Sequence, residues 1–276
     1  MTTEIIRGMA AQEYHLRTEV SNSFLTGWKE NALKAIYERE HPREQTEAML
    51  MGEQVHLAIL EPELFETRYH RTRKFDLRKN VDKDAKAALI EQYGEGNLLT
   101  FERHDEVMAI QAAVNRHPKA LNLFSQAKER EIVILWTDAE TGISCKCRID
   151  AMAGIILADL KTTDDASVDA FQASIFKYGY HRQGAMYLRA CKAAGLDIQH
   201  YSIVAVEKEP PFGCNVFSLA VEALDQGERE LQDLMKCVRL WQSTGHVPGY
   251  AEHVISASLP EWAWRRIEFD GVKEAA

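Results

Sequence analysis

The sequence predicts a single domain of the α/β class, in which helices flank a mixed central β-sheet. Residues 21–127 show mainly helical periodicity, residues 131–161 show the apolar patterns of strands, and helices and strands then mix up to residue 243. This order is typical of a sheet covered by helices. With 276 residues, 46% of them hydrophobic, the chain is long enough to bury one large core. We divide it into a mainly helical part (about 1–128), a core (about 129–220) and a C-terminal helix and tail (about 221–276).

Residues that start and end helices place the helical elements. Ser21 is a candidate N-cap for the first helix, Pro62 closes the second, and Pro118 separates two later ones. After the last helix we expect an ordered tail, with Trp262 and Trp264 packed on the body or on a neighbouring subunit. The predicted helices span 21–38, 47–60, 82–95, 104–116, 118–127, 166–177, 180–194 and about 221–243.

The predicted strands follow one another closely in the middle of the chain. An apolar run at 131–137, a turn at Thr141 and Gly142, and alternating apolar and polar residues at 143–150 predict a β-hairpin. The continuous apolar start of the segment 155–161 is typical of a central strand that is covered on both faces. Two further strands are predicted at 198–207 and 214–220.

Composition narrows the possible functions. The net charge of −9 argues against a protein that holds nucleic acid by its overall charge, although an enzyme with a local basic channel stays possible. No apolar stretch is long enough for a membrane span, and we see no signal peptide, so we expect a cytoplasmic protein. Five cysteines without clustered spacing favour reduced thiols over disulfides, structural zinc or an iron–sulfur cluster.

One segment of the chain is strongly basic. Residues 68–79 hold six lysines and arginines against one acid, Asp76, with aromatic residues between them. Taken alone, a charge run of this kind is typical of a solvated, mobile loop. In a protein that acts on nucleic acid, Arg71, Arg73 and Lys74 would instead be candidate DNA-binding residues that contact phosphates.

Two acids and a lysine form the candidate chemical centre. Asp159 and Lys161 lie two residues apart on a predicted strand and therefore share a face, while Asp150 ends the strand before it. If these strands pair, the acids converge, and the backbone carbonyl of Leu160 lies nearby. Carboxylate and carbonyl oxygens are ligands that Mg²⁺ prefers, and an ammonium beside them can hold or deprotonate an attacking water. An Asp-x-Lys tripeptide also occurs by chance, as a salt-bridged strand end.

The motifs occur in an order that resembles a known nuclease core. Over roughly residues 20–220 they resemble the PD-(D/E)xK core of the RecE-type exodeoxyribonuclease family, which is related to phage lambda-type exonucleases. The resemblance implies a mixed central sheet flanked by helices, with a helical N-terminal region. The segments that carry it are 21–23, 51–62, 131–136, 142–150, 158–167 and 180–187.

The resemblance implies a metal site and a lysine that serves the reaction. Asp150 and Asp159 would be catalytic, metal-binding acids. His56 and the backbone carbonyl of Leu160 would be further metal ligands, and Lys161 would serve the attacking water. Without the family, a histidine on a helix is more typical of a satisfied core or surface residue.

Three further residues are candidates on the same basis. Gln183 and Tyr187, four residues apart, would face the site from one side of a helix as catalytic residues. Without the family, ordinary helix packing explains these two equally well. Glu131 begins the first strand of the hairpin and is an additional candidate for the metal region, ranked below the others.

The activity implied by the resemblance is Mg²⁺-dependent hydrolysis of one strand of linear double-stranded DNA from its 5′ end, with Mn²⁺ as a substitute. The products would be 5′-mononucleotides and a 3′ single-stranded overhang for recombination by strand annealing. Implied partners are double-stranded DNA ends and a single-strand annealing recombinase encoded nearby in a phage or prophage, and family members work as ring-shaped trimers or tetramers. Two alternatives stay open: a structure-specific endonuclease of the same fold, and a catalytically silent nuclease-like interaction module.

Overall fold

The elements of the computed structural model alternate between helices and strands along the chain. The structure describes residues 3–42, 45–250, 253–259 and 264. Its strands are β1 Thr3–Ile6, β2 His70–Thr72, β3 Leu98–Thr100, β4 Glu129–Thr137, β5 Ser144–Ala153, β6 Ile156–Thr163, β7 His200–Glu207 and β8 Cys214–Ser218. Its helices are α1 Ala11–Leu16, α2 Asn22–Glu30, α3 Ala32–Glu40, α4 Glu47–Leu60, α5 Pro62–Arg68, α6 Asn80–Tyr93, α7 Phe101–Arg116, α8 Pro118–Gln126, α9 Val168–Tyr178, α10 Tyr180–Ala193 and α11 Val221–Thr244.

The central sheet is mixed. Within the described part of the chain its strand order is β1-β4-β5-β6-β7-β8, and β2 and β3 form a separate parallel pair. β6 and β7 run parallel, whereas the other neighbours in the central sheet are antiparallel. A parallel pair needs a crossover connection, and α9 and α10 provide it between β6 and β7. The predicted α/β class with a mixed, helix-flanked sheet is confirmed.

Helices cover both faces of this sheet. On one face α2, α10 and α11 pack together over a first core, which includes Leu25. On the other face α4, α7 and α8 cover a second core, which includes Val55. The central strand β6 contributes Leu157 to the first core and Leu160 to the second. Burial on both faces explains why the sequence of this strand begins as a continuous apolar run.

Near the end of the hairpin, the side chains of β5 change the face of the sheet to which they point. In a regular strand, residues two apart share a face, yet Ile149 packs in the first core and Ala151 in the second. Across from them on β4, Glu131 has a left-handed backbone with a φ of 50°. β5 and β6 pair from Ala151 to Ala153, opposite Ile156 to Ala158, and the pairing stops on the N-terminal side of Ala151. Asp150 and Asp159 lie at this split, and the alternation assumed from the sequence does not continue through Asp150.

The segment that leads into α2 lies along the N-terminal part of β5, which does not pair with β6. The Val20 N–H donates to the Ser144 carbonyl and the Lys146 N–H donates to the Val20 carbonyl, each at 2.9 Å. The Lys146 ammonium also donates to the carbonyls of Tyr14 at 2.6 Å and Arg17 at 2.7 Å. These bonds fix the C-terminal end of α1 beside β5.

Several elements differ from the sequence prediction. The helix predicted at 21–38 is two helices, because Asn31 has an extended backbone and its side chain caps α3 by accepting the Lys34 N–H at 2.9 Å. The second strand of the hairpin continues to Ala153. The sequence patterns did not predict α1, α5 or the strands β1, β2 and β3.

The chain beyond α11 has little regular structure where it is described. Residues 245–250 and 253–259 form neither a helix nor a strand, and Trp264 is exposed. Trp262 and most of the predicted ordered tail lie outside the described residues. Among the helices that the structure describes, none combines the length and the apolar character needed to cross a bilayer.

Candidate functional site

The split between β5 and β6 positions two acids close together. Ala151 pairs with Ala158, so Asp150 and Asp159 would form the next pair if the strands stayed together. Instead, Oδ2 of Asp150 accepts a hydrogen bond from the Leu160 N–H at 2.7 Å. Both acids are buried, and Asp159 is only 2% exposed. The two acids therefore meet where the backbone pairing has stopped.

Helix α4 brings His56 to the same place. Thr46 caps the start of this helix. Nδ1 of His56 lies 3.6 Å from Oδ2 of Asp150, and the imidazole donates a hydrogen bond to the Leu160 carbonyl. Burial, together with the nearby Lys161 ammonium, lowers the pKa of His56 to about 4. The imidazole is therefore neutral at pH 7 and keeps a lone pair for a metal ion.

Glu131 completes a group of three donor side chains. One ligand atom from each of His56, Glu131 and Asp150 lies within 4.8 Å of the other two. Among the described residues, these three form the group of histidine and acidic side chains that is close enough to share a metal ion. The Glu131 carboxylate also forms an ion pair with Arg148. The sequence ranks Glu131 below the other candidates, but the structure places it with His56 and Asp150. Asp159 lies outside this group of three.

Asp159 is held by Lys161 and by α10. Nζ of Lys161 lies 2.5 Å from Oδ2 of Asp159. Nε2 of Gln183 donates to Oδ1 of Asp159 at 2.7 Å and to the Tyr187 hydroxyl at 3.0 Å. The ion pair that the alternative interpretation of Asp-x-Lys predicts is present, but it lies within the acid cluster and not at an exposed strand end.

Burial gives the acids unusual pKa values. Burial raises the pKa of Asp150. It also raises the pKa of Asp159 to about 6, and the negative charge of the neighbouring Asp150 contributes to this rise. Burial and Asp150 also raise the pKa of Glu131 to about 8. Burial alone would lower the pKa of Lys161, but Asp159 and Asp150 outweigh it and the pKa is raised. With these neighbours Lys161 is an ammonium at neutral pH, which donates hydrogen bonds and cannot take up a proton.

The donor set fits a divalent cation. Carboxylates and a neutral imidazole are oxygen and nitrogen ligands that suit magnesium and manganese. The cluster brings together three carboxyl groups, those of Glu131, Asp150 and Asp159, and two cations, Lys161 and Arg148. The raised pKa values of the three acids show that burial disfavours their charged forms. A divalent cation would supply the missing positive charge. The chemistry of these residues is therefore that of a metal site.

The basic segment is mostly engaged in ion pairs of its own. Arg71 donates to Asp105 at 2.8 Å, and Arg73 forms two hydrogen bonds with Asp82 at 2.7 and 3.0 Å. Lys74 is exposed, and no partner for it occurs within the described ranges. No described contact joins any of the three candidate DNA-binding residues to the acid cluster.

Two residues of the site were not identified from the sequence. Arg148 forms the ion pair with Glu131, and the Lys161 ammonium lies 5.1 Å from the centre of the Tyr180 ring. Tyr180 precedes Gln183 by three residues, so helical spacing is a signal that finds it. Arg148 meets Glu131 only because of the register between β4 and β5, for which the sequence carries no comparable signal.

Replacing Glu131 with glutamine is expected to remove a loss of stability between about pH 4.5 and pH 8 when divalent metal is absent. An acid whose pKa is raised by folding contributes stability below its unfolded pKa, and that contribution is lost as the pH rises through the folded value, here about 8. The wild type should therefore lose up to about 1.4 kcal/mol per pH unit from this group as the pH rises towards 8. Urea unfolding in EDTA at several pH values measures the effect. An equal loss in Glu131→Gln would show that another group titrates.

Comparison with solved structures supports this fold. One of them, described as a "putative exonuclease" from Eubacterium rectale, is 15% identical, with a TM-score of 0.61 over 92% of this chain and 94% of that one. A likeness at this level of identity shows the fold alone. Protein VC1899 from Vibrio cholerae is 10% identical over 89% of this chain and 60% of that one, and its TM-score of 0.23 supports no inference. No curated protein matches the chain in sequence.

A family comparison covers most of the chain. Residues 21–258 match the family described as a PDDEXK-like domain of unknown function, DUF3799. This match confirms the PD-(D/E)xK part of the resemblance and supports a nuclease, without distinguishing a RecE-type enzyme from other branches. PD-(D/E)xK nucleases generally depend on divalent metal, in agreement with the group formed by His56, Glu131 and Asp150. The chain therefore belongs to the PDDEXK-like domain family DUF3799.

Proposed function

We propose that the protein is a cytoplasmic, Mg²⁺-dependent exonuclease that hydrolyses one strand of linear double-stranded DNA from its 5′ end. The observation that supports it most is the meeting of His56, Glu131 and Asp150 with the Asp159–Lys161 pair at the split between β5 and β6. The PDDEXK-like family supports phosphodiester hydrolysis by this core. The 5′ polarity, the preference for duplex DNA and the release of 5′-mononucleotides rest on the resemblance to RecE-type enzymes.

Five groups would hold the metal ion. His56, Glu131 and Asp150 already present their ligand atoms to one another, and Asp159 and the Leu160 carbonyl lie next to them. When bound, the ion would polarise the scissile phosphate and favour ionisation of the attacking water. Mn²⁺ would substitute for Mg²⁺, because it takes the same oxygen and nitrogen ligands.

The remaining residues orient the reacting groups. Lys161, as an ammonium, would hold the attacking water through its hydrogen bonds and offset the negative charge that grows on the phosphate. Gln183 fixes the Asp159 carboxylate by its hydrogen bond to Oδ1, and its bond to the Tyr187 hydroxyl orients the Gln183 amide. We assign Gln183 and Tyr187 as positioning residues for Asp159.

Matched linear and covalently closed circular DNA test the proposed activity. With Mg²⁺, a linear duplex labelled at one 5′ end should release labelled mononucleotide first, a 3′ label should be released late, and EDTA should stop both. Nicking of the closed circle would instead identify a structure-specific endonuclease. A protein that cleaves neither substrate and binds no Mg²⁺ by calorimetry would be a catalytically silent interaction module.

The resemblance also suggests a ring-shaped trimer or tetramer that works with a single-strand annealing recombinase of a phage or prophage. A ring would explain how a chain with a net charge of −9 stays on DNA, because its closed shape would retain the strand. Light scattering tests the ring, and a mass of 31.4 kDa in solution, that of one chain, would contradict it. Co-purification with a recombinase encoded beside the gene tests the partner.

Replacing Lys74 with alanine is expected to weaken DNA binding equally for all sequences and to reduce the salt dependence of binding by about one ion. Lys74 is the suitable residue because Arg71 and Arg73 also hold Asp105 and Asp82, so changing them alters local structure as well. Fluorescence anisotropy at several salt concentrations, with Ca²⁺ in place of Mg²⁺, measures both quantities. Unchanged binding and salt dependence would identify the basic segment as a solvated loop.

A further inference from the structure

Two tyrosines lead from Lys161 to the protein surface. The centre of the Tyr180 ring lies 5.1 Å from Nζ of Lys161 and 5.7 Å from the centre of the Tyr178 ring. We call Tyr178 and Tyr180 the aromatic ladder. Its inner residue is half-buried beside the Asp159–Lys161 pair, whereas Tyr178 is 48% exposed. Nζ of Lys177 lies 5.1 Å from the centre of the Tyr178 ring, so an ammonium lies close to each end of the ladder.

The connection between α9 and α10 holds the ladder in place. Gly179 joins the two helices with a left-handed backbone, and a Cβ added to it would lie 2.4 Å from the guanidinium of Arg182. Arg182 is buried and donates to the side chains of Asn22 at 3.1 Å and Thr26 at 2.6 Å. The two tyrosines therefore flank a turn that is fixed by packing against α2. This packing holds the backbone from which each tyrosine ring extends.

Core packing does not account for Tyr178. Its ring neighbours are Tyr180 and Lys177, and its hydroxyl has no hydrogen bond within the described part of the chain. Nucleobases have flat faces that stack on such rings, and ammonium groups suit the phosphates on either side of a base. A stable protein partner would need a much larger surface than one half-exposed ring provides.

We propose that Tyr178 stacks on a base of the strand being cut, among the three nucleotides nearest the scissile phosphate, with Tyr180 as its inner support. This inference rests on the proposed function. Because the ladder begins at Lys161, where the phosphate being cut would lie, only a base close to that phosphate can reach Tyr178. Stacking accepts every base, so the contact positions the strand without selecting a sequence.

Abasic substrates test the stacking directly. In linear duplexes, one of the three nucleotides at the 5′ end of the degraded strand carries an abasic site in place of its base, and kcat/KM is measured with Mg²⁺. For the wild type, one of these positions should lower kcat/KM by about 10-fold. Tyr178→Ala should lose about the same factor on intact DNA and show no further loss at that position. Tyr178→Phe should behave as the wild type.

A second exposed aromatic residue on α9 provides the matched control. Phe176 is 71% exposed, and its ring lies 6.1 Å from that of His181, away from the ladder. Phe176→Ala should keep both the wild-type rate and the full abasic penalty. If Tyr178→Ala keeps the abasic penalty, Tyr178 does not stack on a base and the inference is wrong. A change of mass by light scattering in that variant would then identify Tyr178 as a contact between subunits.

A binding measurement separates this inference from the proposed function. With Ca²⁺ in place of Mg²⁺, 2-aminopurine at the position found above should be quenched on binding to the wild type and not on binding to Tyr178→Ala. If the wild type cleaves DNA but neither Tyr178→Ala nor an abasic site changes the rate, only the stacking is disproved. A wild type that neither cleaves nor binds DNA disproves the proposed function and the stacking with it.

Discussion

Replacing Lys161 with alanine is expected to slow DNA hydrolysis by about 10²- to 10⁴-fold, the range for loss of a group that acts on the reacting atoms. Lys161 supplies the ammonium that lies 2.5 Å from Asp159 within the acid cluster. Without it, the water loses a hydrogen-bond donor and the phosphate loses a nearby positive charge. Initial rates on a linear duplex under saturating Mg²⁺ measure the effect, which should lie in kcat more than in KM.

Two further variants make this result specific. Lys161→Gln keeps a hydrogen-bond donor without the charge, so it separates loss of charge from loss of the side chain. Lys161→Arg should not restore the rate, because a planar guanidinium is larger than an ammonium and its side chain would have to fit beside Tyr180. Lys192→Ala removes an exposed lysine from α10 as a control and should keep the wild-type rate. A Lys161→Ala rate equal to that of the wild type would disprove the assignment.

Stability must be measured alongside these rates. Removing the ammonium leaves the Asp159 carboxyl buried without its cation, which costs about 3–5 kcal/mol when the remaining charge stays ionised. Asp159 has a raised pKa already, so in the variant it is expected to bind a proton, which reduces that cost. Urea unfolding at pH 6 and pH 8 distinguishes the two cases, since a protonated Asp159 makes the variant more stable at the lower pH.

Local sequence signals predicted the elements that depend on neighbours in the chain. The bounds of α4 agree with the prediction because Thr46 caps its start and Pro62 follows its end. The first helix was predicted too long because Asn31 caps a second helix inside the same apolar pattern. β1 escaped prediction because four residues carry little periodicity, and their partner is β4, far away in the sequence. Short strands that depend on distant pairing give no local signal.

The site follows the same rule. Alternation predicts that Asp159 and Lys161 share one face of β6, and helical spacing predicts that Gln183 and Tyr187 share one face of α10. In the structure, Lys161 and Gln183 both contact Asp159, and Gln183 also donates to Tyr187. The position of Glu131 depends on a left-handed backbone in a residue that seldom adopts one. No residue propensity indicates such a backbone, and the change of face in β5 is seen only when Ile149 and Ala151 are placed in their separate cores. The sequence therefore gives no reason to rank Glu131 with His56 and Asp150, beside which the structure places it.

Replacing Asp150 with asparagine is expected to abolish metal binding and, in EDTA, to leave the protein as stable as the wild type or more so. Asp150 is buried, its pKa is raised by burial, and its Oδ2 accepts the Leu160 N–H. An asparagine oxygen can still accept this hydrogen bond, so the fold keeps its support while the cluster loses a negative charge. A metal ion held by His56 and Glu131 would lose its central ligand, with a fall in affinity of at least about 100-fold, the upper end of what loss of a supporting partner costs.

Thermal unfolding with and without Mn²⁺ separates this loss of binding from a loss of folding. An ion that binds only the folded protein stabilises it by about 2.7 kcal/mol at 100 times its Kd. The wild type should show this gain, and Asp150→Asn should not. Asp105→Asn, which removes an exposed partner of Arg71, is the control and should keep the full gain. If Asp150→Asn is stabilised by Mn²⁺ as much as the wild type, the ion binds elsewhere, and the meeting of His56, Glu131 and Asp150 no longer supports a nuclease.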